Sequence, residues 1–316
     1  MEDRAELAYR AAMMHYVQDE TMESIARKLK VSRSTVSRLI GVARAEGYVQ
    51  FALNPPSGAT PGLRAELAER FGIEVWVVPV PPRVRGRQRL NLVAEVAGSV
   101  ISGAVFPEAI IGIAWGNTLS AIAEHLVPKP VLGARVVQLN GAGNLISSGI
   151  VYASTIMEAF GEAYHAEVQH FPVPAFFDYP DTKVALWRER SVKLVLDLQK
   201  EVDVAIFGVG TLEGEQLSMV YSGGYLSLLE MEELKGLGVV GDVCTVLLRA
   251  DGTWEDLDIN QRASGPTPRD LTRIPRRICV VSGVEKAVPL LAALRAGVAT
   301  DLVVDEECAA RLLKLS

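Results

Sequence analysis

Residues 109–126 read AIIGIAWGNTLSAIAEHL. Six apolar residues run without a polar interruption, Trp115, Gly116, Asn117 and Thr118 turn the chain, and LSAIAEHL then spaces its apolar residues as a helix does. A strand without polar alternation is buried on both faces, as in a parallel sheet covered by helices. The same kind of run recurs on either side: IEVWVVPV at 73–80, ARVVQLN at 134–140, DVAIFGVG at 203–210, DVCTVLL at 242–248, RICVVSG at 277–283 and DLVVD at 301–305. Helical patterns such as LRAELAERFG, LNLVAEVAGSVISG, KAVPLLAALRAG and CAARLLKL lie between and after these runs. The alternation predicts a doubly wound, Rossmann-like α/β domain over residues 63–316.

With 316 residues the chain has room for a second, smaller domain. The stretch NPPSGATPG at 54–62 reads as a linker, because proline removes backbone donors and glycine and serine loosen the chain. Residues 1–53 then form a domain of their own. A composition of 49% hydrophobic and 22% charged residues excludes disordered and collagen-like classes. The charged start MEDRAELAYR lacks a secretory apolar core, and no stretch has the roughly twenty apolar residues of a membrane span, so a cytoplasmic protein without a membrane partner is expected. Cys244, Cys279 and Cys308 sit far apart in apolar runs and read as buried reduced thiols.

The formal charge of −6 conceals a basic segment: residues 22–45 carry Arg27, Lys28, Lys30, Arg33, Arg38 and Arg44 against Glu23 alone. In the first domain Leu7, Ala11, Met14 and Val17 recur at helical spacing, Thr21 can cap a second helix with Ile25, Ala26 and Leu29 facing inward, and Val31 lies in a turn. Ser32 can cap a third helix whose apolar face is Val36, Leu39, Ile40 and Ala43. Its other face presents Arg33, Ser34, Ser37 and Arg38 near the N-terminal end, where a helix-turn-helix meets the major groove. Arginine can donate two hydrogen bonds to a guanine edge, and short hydroxyl side chains reach phosphates or base edges. Gly47 and the alternating Val49, Phe51 and Leu53 suggest a β-wing. Double-stranded operator DNA is the partner these residues suit.

In the second domain, strand ends that run into glycine turns are where open α/β sheets bind ligands. Candidates are Trp115, Gly116, Asn117 and Thr118; Asn140, Gly141 and Ala142; and Gly208 and Gly210. Lys286 could close over a phosphate, and Asp242 could accept hydrogen bonds from ligand hydroxyls. GVGTLEG does not complete a dinucleotide fingerprint and no P-loop lysine pattern occurs, so no nucleotide cofactor is expected. His125, His165 and His170 show neither metal-ligand spacing nor a nucleophile partner and read as structural.

The order of these parts resembles the SorC family of bacterial sugar-responsive transcription regulators. The resemblance is carried by ESIARKLKVSRSTVSRLI, GIAWGNTLSAIA, VVQLNGAGN, FPVPAFF, VDVAIFGVGTLEG, GDVCTVLLRADGTW, RASGPTP and SGVEKAVPLLAALRAGVATDLVVDEECAARLL. It implies an effector domain similar to sugar-phosphate isomerases and aminosugar-phosphate deaminases without their activity, control by a phosphorylated sugar, and assembly into a homodimer or homotetramer. By motif, Gly116, Asn117, Thr118 and Lys286 would hold phosphate, while Asp242 and the Gly141 turn would face the sugar. The chain departs from the family where paired glycines usually precede the lysine helix: it has Ser282, Gly283 and Val284. Two alternatives remain: an isomerase or deaminase with Asp242 or Glu213 as base and Lys286 as phosphate clamp, and a protein-interaction scaffold.

Overall fold

The computed structural model describes residues 4–18, 20–49, 60–213 and 218–316. The chain divides into two compact units, Met1–Pro56 and Ser57–Ser316.

In the smaller unit, helices α1 (Arg4–Tyr16), α2 (Met22–Leu29) and α3 (Arg33–Ala45) enclose Ala8, Ala11, Ala12, Ile25, Val36, Leu39, Ile40 and Ala43. The alanines of α1 let α3 approach closely. Thr21 and Ser32 cap α2 and α3 by accepting the N–H of Ser24 and Thr35; such a cap contributes about 1 kcal/mol. Lys30 takes a left-handed φ of 54° that closes α2 and turns the chain toward α3. Val17 is not a core residue: α1 ends at Tyr16, and Val17 is 75% exposed. Gly47 has a φ of +74° and Val49 packs against the core, whereas the rest of the expected wing, 50–53, and residues 54–59 of the expected linker lie outside the described residues. Residues 60–62 are not linker. They open helix α4 (Thr60–Phe71), with Pro61 in the first turn, where a missing N–H removes no helix bond.

The larger unit contains strands β1 (Glu74–Val78), β2 (Ile110–Ile113), β3 (Arg135–Gln138), β4 (Glu167–Gln169), β5 (Val204–Phe207), β6 (Gly210–Thr211), β7 (Val239–Val243), β8 (Val246–Arg249), β9 (Arg276–Val281) and β10 (Asp301–Asp305). Seven form one sheet, ordered β1-β10-β9-β5-β2-β3-β4, with every neighbouring pair parallel. Successive side chains enter opposite layers: Val204 and Ile206 join one apolar core, Ala205 and Phe207 the other. Helices α5 (Gly86–Ala104), α6 (Asn117–Ala123) and α7 (Ile150–Tyr164) cover the first layer. Helix α4 and helices Arg190–Lys200, Ala287–Arg295 and Glu306–Leu315 cover the second.

One expected strand is two. DVCTVLL folds back at Cys244 and Thr245, whose φ values of 49° and 70° make a two-residue hairpin turn between β7 and β8. Such turns normally carry glycine or asparagine, so the break leaves no local signal. With β6 the hairpin forms a separate three-stranded antiparallel sheet.

Candidate functional site

From β2 the chain steps outward to β3 and β4, then returns to place β5 on the other side of β2. Where strand order reverses, the loops after the two strands separate and leave a crevice at their carboxyl ends. A cavity of about 670 Å³ opens there. It is lined by Trp115, Gly116, Asn117, Thr118, Asn140, Gly208, Gly210, Asp242 and Lys286, which come together from five separate stretches of chain.

Gly116 has a φ of +139°, and a Cβ there would meet nothing within 4 Å. The glycine is thus required by the backbone rather than by crowding. The Asn117 and Thr118 side chains make no hydrogen bond to the described residues and are available to a ligand. Gly210 serves a different purpose. A Cβ on it would fall 1.8 Å from Asp242 Oδ1, so the bare Cα makes room for that carboxylate.

Asp242 is 4% exposed. Its Oδ2 accepts the Thr245 N–H at 3.1 Å, while its Oδ1 has no hydrogen-bond partner among the described residues. Burial pushes its pKa up to about 6, although the adjacent Tyr221 hydroxyl, the Thr245 N–H and the Lys286 charge act in the opposite direction. The buried Tyr221 hydroxyl stands beside it without a well-formed bond, and burial followed by the nearby carboxylate drives that phenol well above its usual value. The hairpin turn that supplies the Thr245 N–H is held under strain, since a β-branched residue at positive φ is an outlier. Gly265 accommodates it: a Cβ there would lie 1.7 Å from Cys244 O.

Lys286 makes no hydrogen bond or ion pair with the described residues, and burial lowers its pKa. The loop before it is fixed by Asp305, a fully buried carboxylate whose Oδ2 accepts the Gly283 N–H at 2.6 Å. Asp305 Oδ1 accepts the Cys308 N–H at 3.0 Å and Arg89 at 3.2 Å. Arg89 is 6% exposed and also pairs with Glu307 at 2.6 Å. Gly283, at a φ of +107°, makes this turn as a single glycine, so the missing second glycine leaves Val284 half-exposed at the cavity.

Sequence reasoning missed this arginine wall. Arg85, Arg87 and Arg89 all line the cavity; Arg87 pairs with Glu124 at 3.2 Å, and Arg85 has no ion pair among the described residues. The run RVRGRQR at 83–89 was the available signal. Thr245, Cys244, Ser218 and Glu285 were missed as well.

Gly141 and Ala142 do not line the cavity. Val173 O would lie 2.3 Å from a Cβ on Gly141, so that glycine permits a close backbone approach. Its carbonyl accepts Trp115 Nε1 at 2.7 Å, and Ala142 O accepts the Tyr225 hydroxyl at 3.0 Å. The Trp115 indole stacks on Tyr225 with centroids 5.0 Å apart, so it packs and lines the cavity at once. Glu213 is exposed and lies outside the lining. Burial keeps the three cysteine thiols protonated, all of them unpaired.

In the smaller unit, Ser32, Arg33, Ser34, Ser37 and Arg38 are all exposed on the N-terminal half of α3. Ser32 Oγ lies 2.8 Å from both Ser34 Oγ and Thr35 Oγ1, and Arg33 reaches Glu23 only at 3.9 Å.

A family model described as "Putative sugar-binding domain" matches residues 59–314. The deoxyribonucleoside regulator of Bacillus subtilis (strain 168) is 31% identical over 314 residues, covering 98% of each chain. The full-length sorbitol operon regulator SorC of Klebsiella pneumoniae superimposes with a TM-score of 0.72 over 99% of each chain at 23% identity, a likeness of fold. The chain belongs to the SorC family. A crystallised domain of "a possible sugar-binding transcriptional regulator" from Arthrobacter aurescens TC1 is 46% identical, with a TM-score of 0.77 over 84% of this chain and 100% of that one. The SorC-family relatives named here are transcriptional regulators, so this chain is a regulator and the isomerase or deaminase alternative is set aside. Among the described residues no helix of this SorC-family chain is long and apolar enough to cross a membrane.

Proposed function

We propose that this regulator senses a phosphorylated sugar in the cavity of residues 57–316 and transmits its occupancy to operator binding by residues 1–56. In this reading α2, the Lys30 turn and α3 are a helix-turn-helix. Arg33 and Arg38 read base edges in the major groove, and Ser32, Ser34 and Ser37 bond phosphates or bases. A homodimer or homotetramer presents paired copies of α3 to a pseudopalindromic operator.

The observation that carries the ligand class is a set of unsatisfied groups in one cavity. Among the described residues, Asn140 Oδ1 and Asp242 Oδ1 are buried acceptors with no hydrogen-bond donor in place, and Lys286 has the Asp242 and Glu285 charges nearby but no ion pair. Buried acceptors without donors are costly, and ligand hydroxyls would satisfy them. An anion would satisfy the lysine, with Arg85, Asn117 and Thr118 adding donors. A polyhydroxy anion meets both needs. The names of relatives, regulators named for deoxyribonucleosides, sorbitol and erythritol, support the polyhydroxy part of this reading.

The reading is tested by a thermal-shift panel of sugar phosphates against the same sugars unphosphorylated. One sugar phosphate should raise the Tm and, at the same concentration, change operator affinity, since a ligand regulates only if the two DNA-binding states bind it differently. A panel in which free sugars act as well as their phosphates removes the anion. A ligand that raises Tm yet leaves operator affinity unchanged removes the coupling.

A further inference from the structure

We infer that the ligand of this cavity carries a protonated amine as well as an anionic group, as an aminosugar phosphate does, and that Asp242 with Asn140 receives the amine. The inference rests on the sugar-phosphate reading and names the ligand class within it.

The charges around the cavity balance. Among the described residues it is lined by four cations, Arg85, Arg87, Arg89 and Lys286, and by four carboxylates, those of Glu124, Asp242, Glu285 and Glu307. Arg87 pairs with Glu124 at 3.2 Å and Arg89 with Glu307 at 2.6 Å. Arg85, Lys286, Asp242 and Glu285 are left without ion pairs among the described residues. Arg85 and Glu285 are exposed, Lys286 is half-buried and Asp242 is buried. Lys286 and Asp242 feel each other's charge, yet they form no ion pair. A cavity with balanced charge has no surplus to hold a ligand that is only an anion. It is complementary to a ligand that brings both signs.

Occupation of Lys286 by phosphate decides what Asp242 needs. The lysine charge then no longer offsets the carboxylate, and the phosphate repels it. A buried carboxylate in that position requires a proton or a cation. Arg87 and Arg89 are already engaged, Arg89 by Asp305 at 3.2 Å as well as by Glu307. Tyr221 stands beside Asp242, but a phenol brings a hydrogen bond without a charge. A sugar hydroxyl has the same shortcoming. An ammonium group neutralises the carboxylate and donates three hydrogen bonds. Two buried acceptors in the cavity wall, Asp242 Oδ1 and Asn140 Oδ1, lack a donor among the described residues.

Both acceptors belong to a fixed wall. The Thr245 N–H holds Asp242 Oδ2 at 3.1 Å, and the bare Cα of Gly210 leaves room for Oδ1. Gln138 Nε2 donates to the Asn140 carbonyl at 2.7 Å, and Asn140 is 2% exposed.

The test is calorimetric titration of the full chain with the 6-phosphates of glucosamine, galactosamine and mannosamine. Each is compared with its parent hexose 6-phosphate and with its N-acetyl derivative, which keeps the nitrogen and loses the charge. At pH 7 at least one aminosugar phosphate should bind roughly tenfold more tightly than both, because charge-assisted hydrogen bonds are about twice as strong as neutral ones. Asp242→Asn keeps the shape, removes the charge, and should bring the three to equal affinity. The wild type gives a second readout without any substitution: the preference should shrink at pH 5, where Asp242 is protonated. Phosphate itself titrates near pH 6, so the ratio of affinities is read rather than either affinity alone. The titratable groups facing Asp242 are Tyr221, Cys244 and Lys286; burial keeps the first two protonated throughout, and all three ligands meet Lys286 alike. An amine-free sugar phosphate that binds as tightly as the best aminosugar phosphate would overturn the inference and leave the sugar-phosphate reading standing. So would a preference that survives Asp242→Asn or is undiminished at pH 5. A panel in which no sugar phosphate binds removes that reading, and this inference with it.

Discussion

The exposed face of α3 and the cavity of the larger unit present their polar groups under opposite conditions. Arg33, Ser34, Ser37 and Arg38 stand exposed within two turns of one helix. Asp242, Asn140 and Thr118 are at least 94% buried and come from distant parts of the chain. Their geometry is set by neighbours: Gly210 clears space for Asp242, a strained turn supplies its hydrogen bond, and Asp305 holds the loop before Lys286. An exposed site depends on the residues it displays, and removing them leaves the fold intact. A buried site stores unfavourable desolvation that a ligand relieves, so its residues affect stability and binding in opposite senses.

The sharpest way to break this contrast is at α3. Arg33→Ala with Arg38→Ala should weaken operator binding at least ~30-fold, since each good bidentate base contact is worth roughly 1–3 kcal/mol. Circular dichroism should be unchanged. A gel shift with wild-type affinity would remove the helix from DNA recognition.

Asp242→Asn should raise stability rather than leave it unchanged. The Asp242 pKa is raised to about 6 in the folded protein, above its ordinary 3.8. The folded state then holds the proton more firmly, so this residue's contribution to stability is fully present below about pH 4 and is lost as pH rises through about 6. A shift of that size corresponds to roughly 3 kcal/mol. The substituted amide cannot ionise, so thermal unfolding at pH 7.5 should show a higher Tm than wild type, a flatter Tm profile between pH 4 and 6.5, and weaker binding of any active sugar phosphate. An unchanged pH profile would place the group's titration elsewhere.

Lys286→Met sharpens the contrast further. Loss of a charged hydrogen bond to the ligand is worth about 1.5–3 kcal/mol, or roughly ten- to hundred-fold in affinity. The ligand-free Tm should stay level or rise, because a desolvated cation has been removed. Calorimetric titration with the best sugar phosphate checks the first part and thermal unfolding the second. Arg89→Met is the informative contrast. It leaves Asp305 buried without its partner, so it should destabilise the ligand-free protein, in the range of about 3–5 kcal/mol for a broken buried pair.

The smallest effect belongs to Ser32→Ala, which removes the α3 cap. Urea unfolding should report about 1 kcal/mol of lost stability. A loss several times larger would mean that Ser32 supports more than its own helix.

Much of the fold was legible because it rests on patterns a few residues long. The caps at Thr21 and Ser32, the inner face of α3 and the double-sided burial of the parallel strands follow from local spacing, and the structure carries them as read. Val17 falls outside the first helix because the helical spacing continues past the point where the helix stops. The hairpin inside DVCTVLL was hidden because Cys244 and Thr245 adopt a turn that neither favours. Around the cavity the glycines looked alike in sequence and proved to differ. Gly116 answers to its own backbone angle, Gly141 to the approach of Val173, and Gly210 to the carboxylate of Asp242.

The sequence by itself determined the alternation of buried strands and helices, the basic face of α3 and the supply of residues at strand ends, since each depends on neighbours within a turn or two. Only the tertiary structure decided that strand order reverses between β2 and β5 and that Asp242 and Lys286 share one cavity with the Trp115 turn. It also decided that Arg89 belongs to that wall and that Gly141 stands behind it. Those are contacts between residues tens to hundreds of positions apart. They arise from packing two apolar layers onto one twisted sheet, and no local spacing encodes them.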